Sequence, residues 1–209
     1  MKLAIFGATG RTGRPLVERA LAEGHDVVAL ARTPAKLPLA DARLTVVQGD
    51  ATDPAAVENV VRGADAVISV IGQAKGSPHD LQTAATRTIV NAMRAHGVKR
   101  LVSLTGAGVD APQDRPTLMN HAIKLALKTL SGHVLRDAVG HVAIIQGSGL
   151  EWIIVRAPML TEGARVGSYR VGWVGVNTGA RIARADLADF LLKEVTDTTY
   201  LRQLPMVSA

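Results

Sequence analysis

The sequence predicts a doubly wound α/β architecture, a mostly parallel sheet with helices on both faces, and three observations carry that expectation. Short apolar runs recur at Leu3 to Phe6, Val27 to Leu30, Leu44 to Val47, Ala66 to Val70, Leu101 to Leu104 and Ile153 to Val155. They are continuous rather than alternating, the pattern of strands covered by helices on both sides. Segments of helical periodicity lie between them, and repeated alternation of this kind folds through right-handed crossovers into one parallel sheet. The third observation is the glycine loop GATGRTG at residues 7–13, set between the first strand and the first helix.

Each crossover has its own signals. In the first, Leu16, Val17, Ala20 and Leu21 form one apolar stripe and Gly24 closes the helix. The second opens with Asp53 as N-cap and Pro54 in the first turn, and turns Val57, Val60 and Val61 inward. A third runs from about Leu81 to His96, with Ala85, Thr88, Ile89, Ala92 and Met93 at helical spacing before Gly97. Beyond Leu104 the pattern loosens through Gly106, Gly108, Pro112 and Pro116, then turns helical from about Thr117 to Gln146, with a break expected at Ser131 and Gly132. After Arg156, Pro158 and several glycines predict loop and short strand over 157–180, a substrate-side region in which Trp173 is a candidate ligand cover. Trp152 reads as core, and Asp186, near the start of the last helix, is expected to fix Arg184.

Composition limits the possibilities. With 209 residues, 47% of them apolar, the chain supplies one substantial core, so residues 1–209 read as a single domain. Cysteine is absent, which excludes disulfides, thiolate metal sites and a cysteine nucleophile, and fits a reducing cytoplasm. Met1 to Phe6 cannot supply a signal-peptide core, and no apolar run approaches the roughly 18 residues of a membrane span. The net charge of +6 is scattered and aromatic residues make up 3%, too few for base-stacking platforms. The expected partner is therefore a small molecule, with neither nucleic acid nor membrane. His121, His133 and His141 lack the helical spacing that places two ligands on one face, so no metal is expected.

The glycine loop carries the clearest chemistry. Gly7 permits the tight turn after the strand, Gly10 lets the backbone approach a pyrophosphate, and Gly13 allows the helix to pack closely on the sheet. The opening amides of the helix and the positive end of its dipole then face the phosphates. An acidic residue after the second strand would accept from a ribose 2′-hydroxyl, but the chain reads LARTPAK there. Arg32, with Thr33, Lys36 and Arg11, instead surrounds a 2′-phosphate, so NADP(H) is preferred over NAD(H). At the end of the third strand Asp50 is a candidate acceptor for the adenine amino group, with Ala51 beside it, or alternatively a turn cap. Ile71 and Gly72 end the fourth strand, where a glycine lets the backbone pass close to the ribose.

Taken together, GATGRTG, the arginine after strand two, GDATD at 49–53, ADAVISVIG at 64–72, GVKRLVSLTG at 97–106, SGLEWIIVRAP at 148–158 and ARADLADFLL at 183–192 resemble a known group. They are similar to atypical short-chain dehydrogenases of the NAD(P)H-binding, NmrA-like kind, especially the flavin reductase/biliverdin-IXβ reductase branch. The resemblance covers nearly the whole chain. It implies a Rossmann-like fold with NADPH along the strand ends and an open site beside the nicotinamide for a flavin or other planar acceptor. By the same resemblance Gly7, Thr9, Gly10, Arg11 and Thr12 hold the pyrophosphate, Arg32 the 2′-phosphate, and Asp50 and Ala51 adenine. Gly72 and Thr105 lie near ribose and nicotinamide, and Pro158 and Met159 flank the nicotinamide.

The proton donor is harder to find. The main short-chain dehydrogenases use a tyrosine activated by a lysine four residues later. Tyr169 and Tyr200 are the two tyrosines here, and neither has a lysine at that spacing; the nearest imitation, Asn120 with Lys124, cannot transfer a proton. Where the reductase branch usually has a serine and a histidine, this chain has Gly106 and Met159, which argues against biliverdin specifically. Hydride transfer to a flavin or quinone needs less help, since stacking and orientation supply much of the effect and solvent supplies the proton. Thr105 is the one hydroxyl expected near the reacting carbon, as an orienting donor. Three functions remain open at this point: an NADPH-dependent reductase, a non-catalytic NADP(H)-sensing regulator, and an isomerase or dehydratase with permanently bound cofactor, which would itself want an acid–base residue in the site.

Overall fold

The structure is a computed structural model that describes residues 1–74 and 76–209; within 118–130, nothing is stated about the side chains of residues 123, 127, 128 and 130. Its centre is an eight-stranded sheet. In spatial order the strands are β3 (Leu44–Gln48), β2 (Asp26–Ala31), β1 (Lys2–Phe6), β4 (Ala66–Ser69), β5 (Arg100–Gly106), β6 (Glu151–Ala157), β10 (Met206–Ser208) and β8 (Arg170–Gly172). All neighbours are parallel except β10 and β8. The chain winds outward from β1 to β3, crosses back to β4 and continues the other way, so the order reverses between β1 and β4. In such sheets ligands lie beyond the carboxyl ends of the strands at that reversal.

Helices cover both faces. The pairs α1 (Gly13–Ala22) with α6 (Arg184–Lys193), and α2 (Pro54–Val61) with α3 (Leu81–Ala95) and α5 (Gly132–Gln146), divide the core in two. Leu3, Ile5, Leu16, Val17, Ile153, Leu187 and Leu191 fill one side; Phe6, Val57, Val60, Ile89, Met93, Leu101, Trp152 and Ile154 fill the other. The apolar runs of β1, β4 and β6 are buried throughout because each is flanked by strands and roofed by helices, and that of β5 is buried except at Leu104, which reaches the cleft. Leu44 to Val47 depart from the expectation of full burial: β3 is the sheet edge, and its residues are half-buried or exposed.

Local signals account for the boundaries. Gly24 takes φ +84° after α1, and Asp53 accepts a 3.0 Å hydrogen bond from the Ala55 amide at the start of α2. The long helical stretch is divided at Ser131 into α4 (Leu118–Leu130) and α5. The region 157–180 holds two short strands, β7 (Met159–Thr161) and β8; β7 pairs in parallel with β9 (Arg181–Ala183) as a separate ribbon. β9 and β10 are too short to stand out in the sequence. Among the described residues no helix is long and apolar enough to cross a membrane.

Candidate dinucleotide site and acceptor cleft

The glycine loop sits at the topological reversal. Gly7 adopts φ +84°, and a Cβ there would lie 2.9 Å from the carbonyl carbon and oxygen of Val70, where β4 ends beside β1. Gly10 donates its amide to the Gly7 oxygen at 3.0 Å. A Cβ on Gly13 would overlap that same oxygen and stand 2.8 Å from Ala8 Cα, so α1 begins in backbone contact with the turn. Thr12, buried, is the N-cap of α1 and makes no side-chain capping bond. The Arg14 amide donates to the Gly10 carbonyl at 3.0 Å and Pro15 has no amide hydrogen, so the anion-facing backbone is that of the loop leading into α1, whose Gly10, Arg11 and Thr12 stand in the cleft wall. This cradle fits a pyrophosphate.

Around the end of β2, Arg32, Thr33 and Lys36 are all exposed, and Pro34–Lys36 form a 3-10 turn. Arg14 Nη2 donates to the Lys36 carbonyl at 2.9 Å, tying that turn to α1 and placing another guanidinium beside it. Sequence reading missed Arg14, although its position one residue past the glycine loop is a signal. Asp50 shapes the turn after β3, its Oδ1 accepting from the Thr52 amide (2.9 Å) and hydroxyl (2.6 Å). Those bonds hold its carboxyl below the usual range, with help from the nearby Arg32 charge. Arg32, Thr33, Lys36, Asp50 and Ala51 thus gather at the β2 and β3 ends, outside the walls of the main cleft.

That cleft, about 1980 Å³, opens along the ends of β4, β5 and β6. It brings together Gly10, Arg11, Thr12, Ile71, Gly72, Thr105, Pro158 and Met159, residues distant in sequence. Its volume exceeds the roughly 300–1,000 Å³ of a pocket for one small ligand. A Cβ on Gly72 or Gly106 would meet nothing within 4 Å, so both glycines leave open space. Thr105 is 3% exposed, and its Oγ1 has no hydrogen-bond partner among the described residues. A buried hydroxyl without a partner is costly, and a bound group that accepts from it would recover that cost.

Buried polar contacts that the sequence did not announce hold the walls. Asp137 of α5 accepts the amides of Gln82 (2.9 Å) and Thr83 (2.8 Å) in the first turn of α3, and Gln73 Nε2 at 2.6 Å. Burial pushes its carboxyl up, and these hydrogen bonds outweigh that and hold it low. It does the capping that Asp80, at the N-cap position, does not. His141, one turn further on, hydrogen bonds through Nδ1 to Thr86 (2.8 Å) and lies 3.4 Å from the Ser103 hydroxyl; burial presses its pKa down to about 4. His133 stacks on His79, and the described residues hold no cluster of three or more potential metal ligands.

Two expectations need correction, and one holds with an addition. Asp186 does not fix Arg184: its Oδ1 accepts the amides of Val166 (2.9 Å) and Gly167 (2.7 Å), while Arg184 pairs with Glu162 at 2.8 Å. The loop needed its own amides satisfied, and a helix-start carboxylate was in reach. Trp173 packs on the α2, α3 and α5 side of the core and is not in the cleft wall, where Val174 and Thr178 take its place. A tyrosine–lysine contact does exist, Lys193 donating to Tyr169 at 2.8 Å, with Asp189 accepting from both. Burial raises the Tyr169 pKa, and the pair lies outside the cleft, so it holds the 162–170 loop on α6. Asn120 accepts from Thr117 at the start of α4, and Lys124 pairs with Asp110.

Comparison with known proteins agrees with this geometry. Residues 7–198 match the NAD(P)H-binding family. A Streptomyces protein named 3-diazoavenalumate denitrifying reductase is 36% identical over 130 residues, 56% of this chain and 42% of that protein, so the chain spans less than half of that relative. A short-chain dehydrogenase/reductase from Veillonella parvula, solved in complex with NADP, superposes with a TM-score of 0.82 at 18% identity, covering 100% of this chain and 94% of the other. ChuY of Escherichia coli O157:H7, described as an anaerobillin reductase, superposes with a TM-score of 0.80 at 24% identity, covering 100% and 97%. These two likenesses are of fold. With the phosphate cradle, the sheet reversal and the match over nearly its whole length, the chain belongs to the NAD(P)H-binding family.

Proposed function

We propose that this protein is an NADPH-dependent reductase that passes a hydride to a small planar acceptor of flavin or quinone type. The observation that carries the reading is the joined cleft: the phosphate cradle at one end, and Thr105, Gly106, Pro158 and Met159 walling open space at the other. Bound there, NADPH supplies two electrons as hydride, and the acceptor takes its accompanying proton from solvent. The glycine-loop amides bind the pyrophosphate, and Arg32, Lys36 and the adjacent Arg14 favour a 2′-phosphate by charge-assisted hydrogen bonds. Thr105 Oγ1 orients the nicotinamide end as a donor, while the apolar wall excludes water from one side. Among the described residues no tyrosine lines the cleft, which fits an acceptor that needs no dedicated acid.

Steady-state NADPH oxidation against a panel of flavins and quinones tests this. Turnover with at least one planar acceptor is expected, with NADPH favoured over NADH. Tight NADPH binding without turnover of any acceptor would overturn it in favour of an NADP(H) sensor.

A further inference from the structure

Helix α4 leaves an apolar stripe uncovered. Leu118 is 89% exposed and Leu125 64%, and at 3.6 residues per turn they align with Ala122 and Thr129, also exposed. Met119, 69% exposed, flanks the stripe on the side that enters the cleft. A helix of a globular protein ordinarily turns such a stripe toward the core; α4 touches α5, yet Leu118 and Leu125 stay exposed. Within the segment that carries it the charge has one sign. From Arg115 to Arg136 the sequence holds Arg115, Lys124, Lys128 and Arg136 and not one Asp or Glu. Lys124 is neutralised by Asp110, but Arg115 and Arg136 are exposed at the two ends of the segment.

A second copy is a poor occupant for this face, because two-fold pairing would set one carboxylate-free basic segment against another. An apolar stripe with basic flanks matches an anionic lipid surface, where the stripe enters the headgroup boundary and the cations meet lipid phosphates. A helix of 13 residues lies along such a surface and does not cross it. We propose that α4 docks this protein on an anionic membrane surface, which revises the expectation that no membrane is a partner. Met119, Asn120 and Lys124 belong both to α4 and to the cleft wall, and Met159, 59% exposed, belongs to the wall as well. A docked α4 therefore sets the cleft mouth at the lipid. Resting on the reductase reading, the acceptor is then a lipid-borne quinone-type molecule that enters past these methionines.

The test is co-sedimentation of the full chain with vesicles of phosphatidylglycerol and phosphatidylcholine, against pure phosphatidylcholine. Binding to the anionic vesicles is expected, weakened by salt and weakened at least about tenfold in L118D/L125D, since both leucines would lose their burial in the headgroup boundary. Neither leucine lines the cleft, so the variant keeps its NADPH affinity and its turnover of a water-soluble quinone while losing that of a long-chain quinone held in the vesicles. Equal binding to both vesicle types, or none, overturns the proposal. A wild-type dimer that L118D/L125D converts to monomer also overturns it, since a second copy then covers the face. Sedimentation needs no turnover, so failure of the reductase reading shows separately, as vesicle binding without activity.

Discussion

Arg156 grips Asp114 through two hydrogen bonds of 2.7 Å, one to each carboxylate oxygen, with the guanidinium wholly buried below the cleft floor. The same arginine donates to the carbonyls of Leu204 (2.8 Å) and Val109 (2.9 Å), and Asp114 accepts the amides of Ala111 (2.8 Å) and Val174 (3.0 Å). Burial alone would push the Asp114 carboxyl up, but these bonds hold it below the usual range. One ion pair thus joins the loop after β5, the turn after β8 and the segment before β10 to strand β6. Removing one partner of a buried pair strands the other charge, so Asp114→Ala is expected to lose about 3–5 kcal/mol. Urea denaturation measures it, and a loss under about 1 kcal/mol would show that Arg156 finds water instead.

Arg32→Ala is expected to weaken NADPH by about 1.5–3 kcal/mol, the scale of a charged hydrogen bond, and to leave NADH nearly unchanged. Calorimetric titration of both nucleotides checks this. Equal losses would place the 2′-phosphate away from the β2 turn.

Two glycine substitutions separate backbone contact from ligand space. Gly13→Ala drives a methyl into the Gly7 carbonyl, so it is expected to lower both thermal stability and NADPH affinity, the latter by at least about tenfold, or roughly 1.4 kcal/mol. Gly106→Ala meets no protein atom within 4 Å, so its melting temperature stays put and any rise in acceptor KM reports a ligand near that position. If Gly106→Ala melts earlier while Gly13→Ala does not, the tight contact at the start of α1 is misassigned.

His141 and Glu194 pull stability against pH in opposite directions. Burial lowers the His141 pKa from 6.5 to about 4, against the attraction of Asp137. Burial raises Glu194 from 4.5 to about 7, with Asp197 adding to the rise and Arg100 opposing it; its Oε2 has no partner among the described residues. As pH falls from 6.5 to about 4, the unfolded chain binds a proton on His141 that the folded chain refuses, and stability falls. As pH climbs from 4.5 to about 7, the unfolded chain releases the Glu194 proton that the folded chain keeps, and stability falls in that direction too. Each arm spans up to about 3 kcal/mol. Glu194→Gln is expected to stabilise above pH 7 and to change little near pH 4.5, measured as denaturant midpoints. An equal gain at both pH values would mean that Glu194 does not titrate as its burial dictates.

The strands and the cradle were legible in the sequence because their signals are local. A buried apolar run, a proline after Asp53, and glycines at 7, 10 and 13 each act within a few residues. What stayed hidden depends on partners far along the chain. Asp137 looks like an ordinary helix-surface acid until α3 arrives beside it, and Arg156 looks like the polar end of a strand until Asp114 folds beneath it. Trp173 and Asp186 were misread for the same reason: their contacts depend on loop packing, which periodicity does not encode.

The bond from Asp137 to α3 also bears on how this molecule is made. The carboxylate that completes the start of α3 lies 54 and 55 positions downstream of the amides it serves, and it also steadies Gln73 in the loop before that helix. During synthesis the nucleotide-gripping front portion emerges from the ribosome well before that carboxylate does. The wall on that side of the opening must therefore wait, and a truncated product ending ahead of α5 would carry the phosphate grip without a settled chamber beside it.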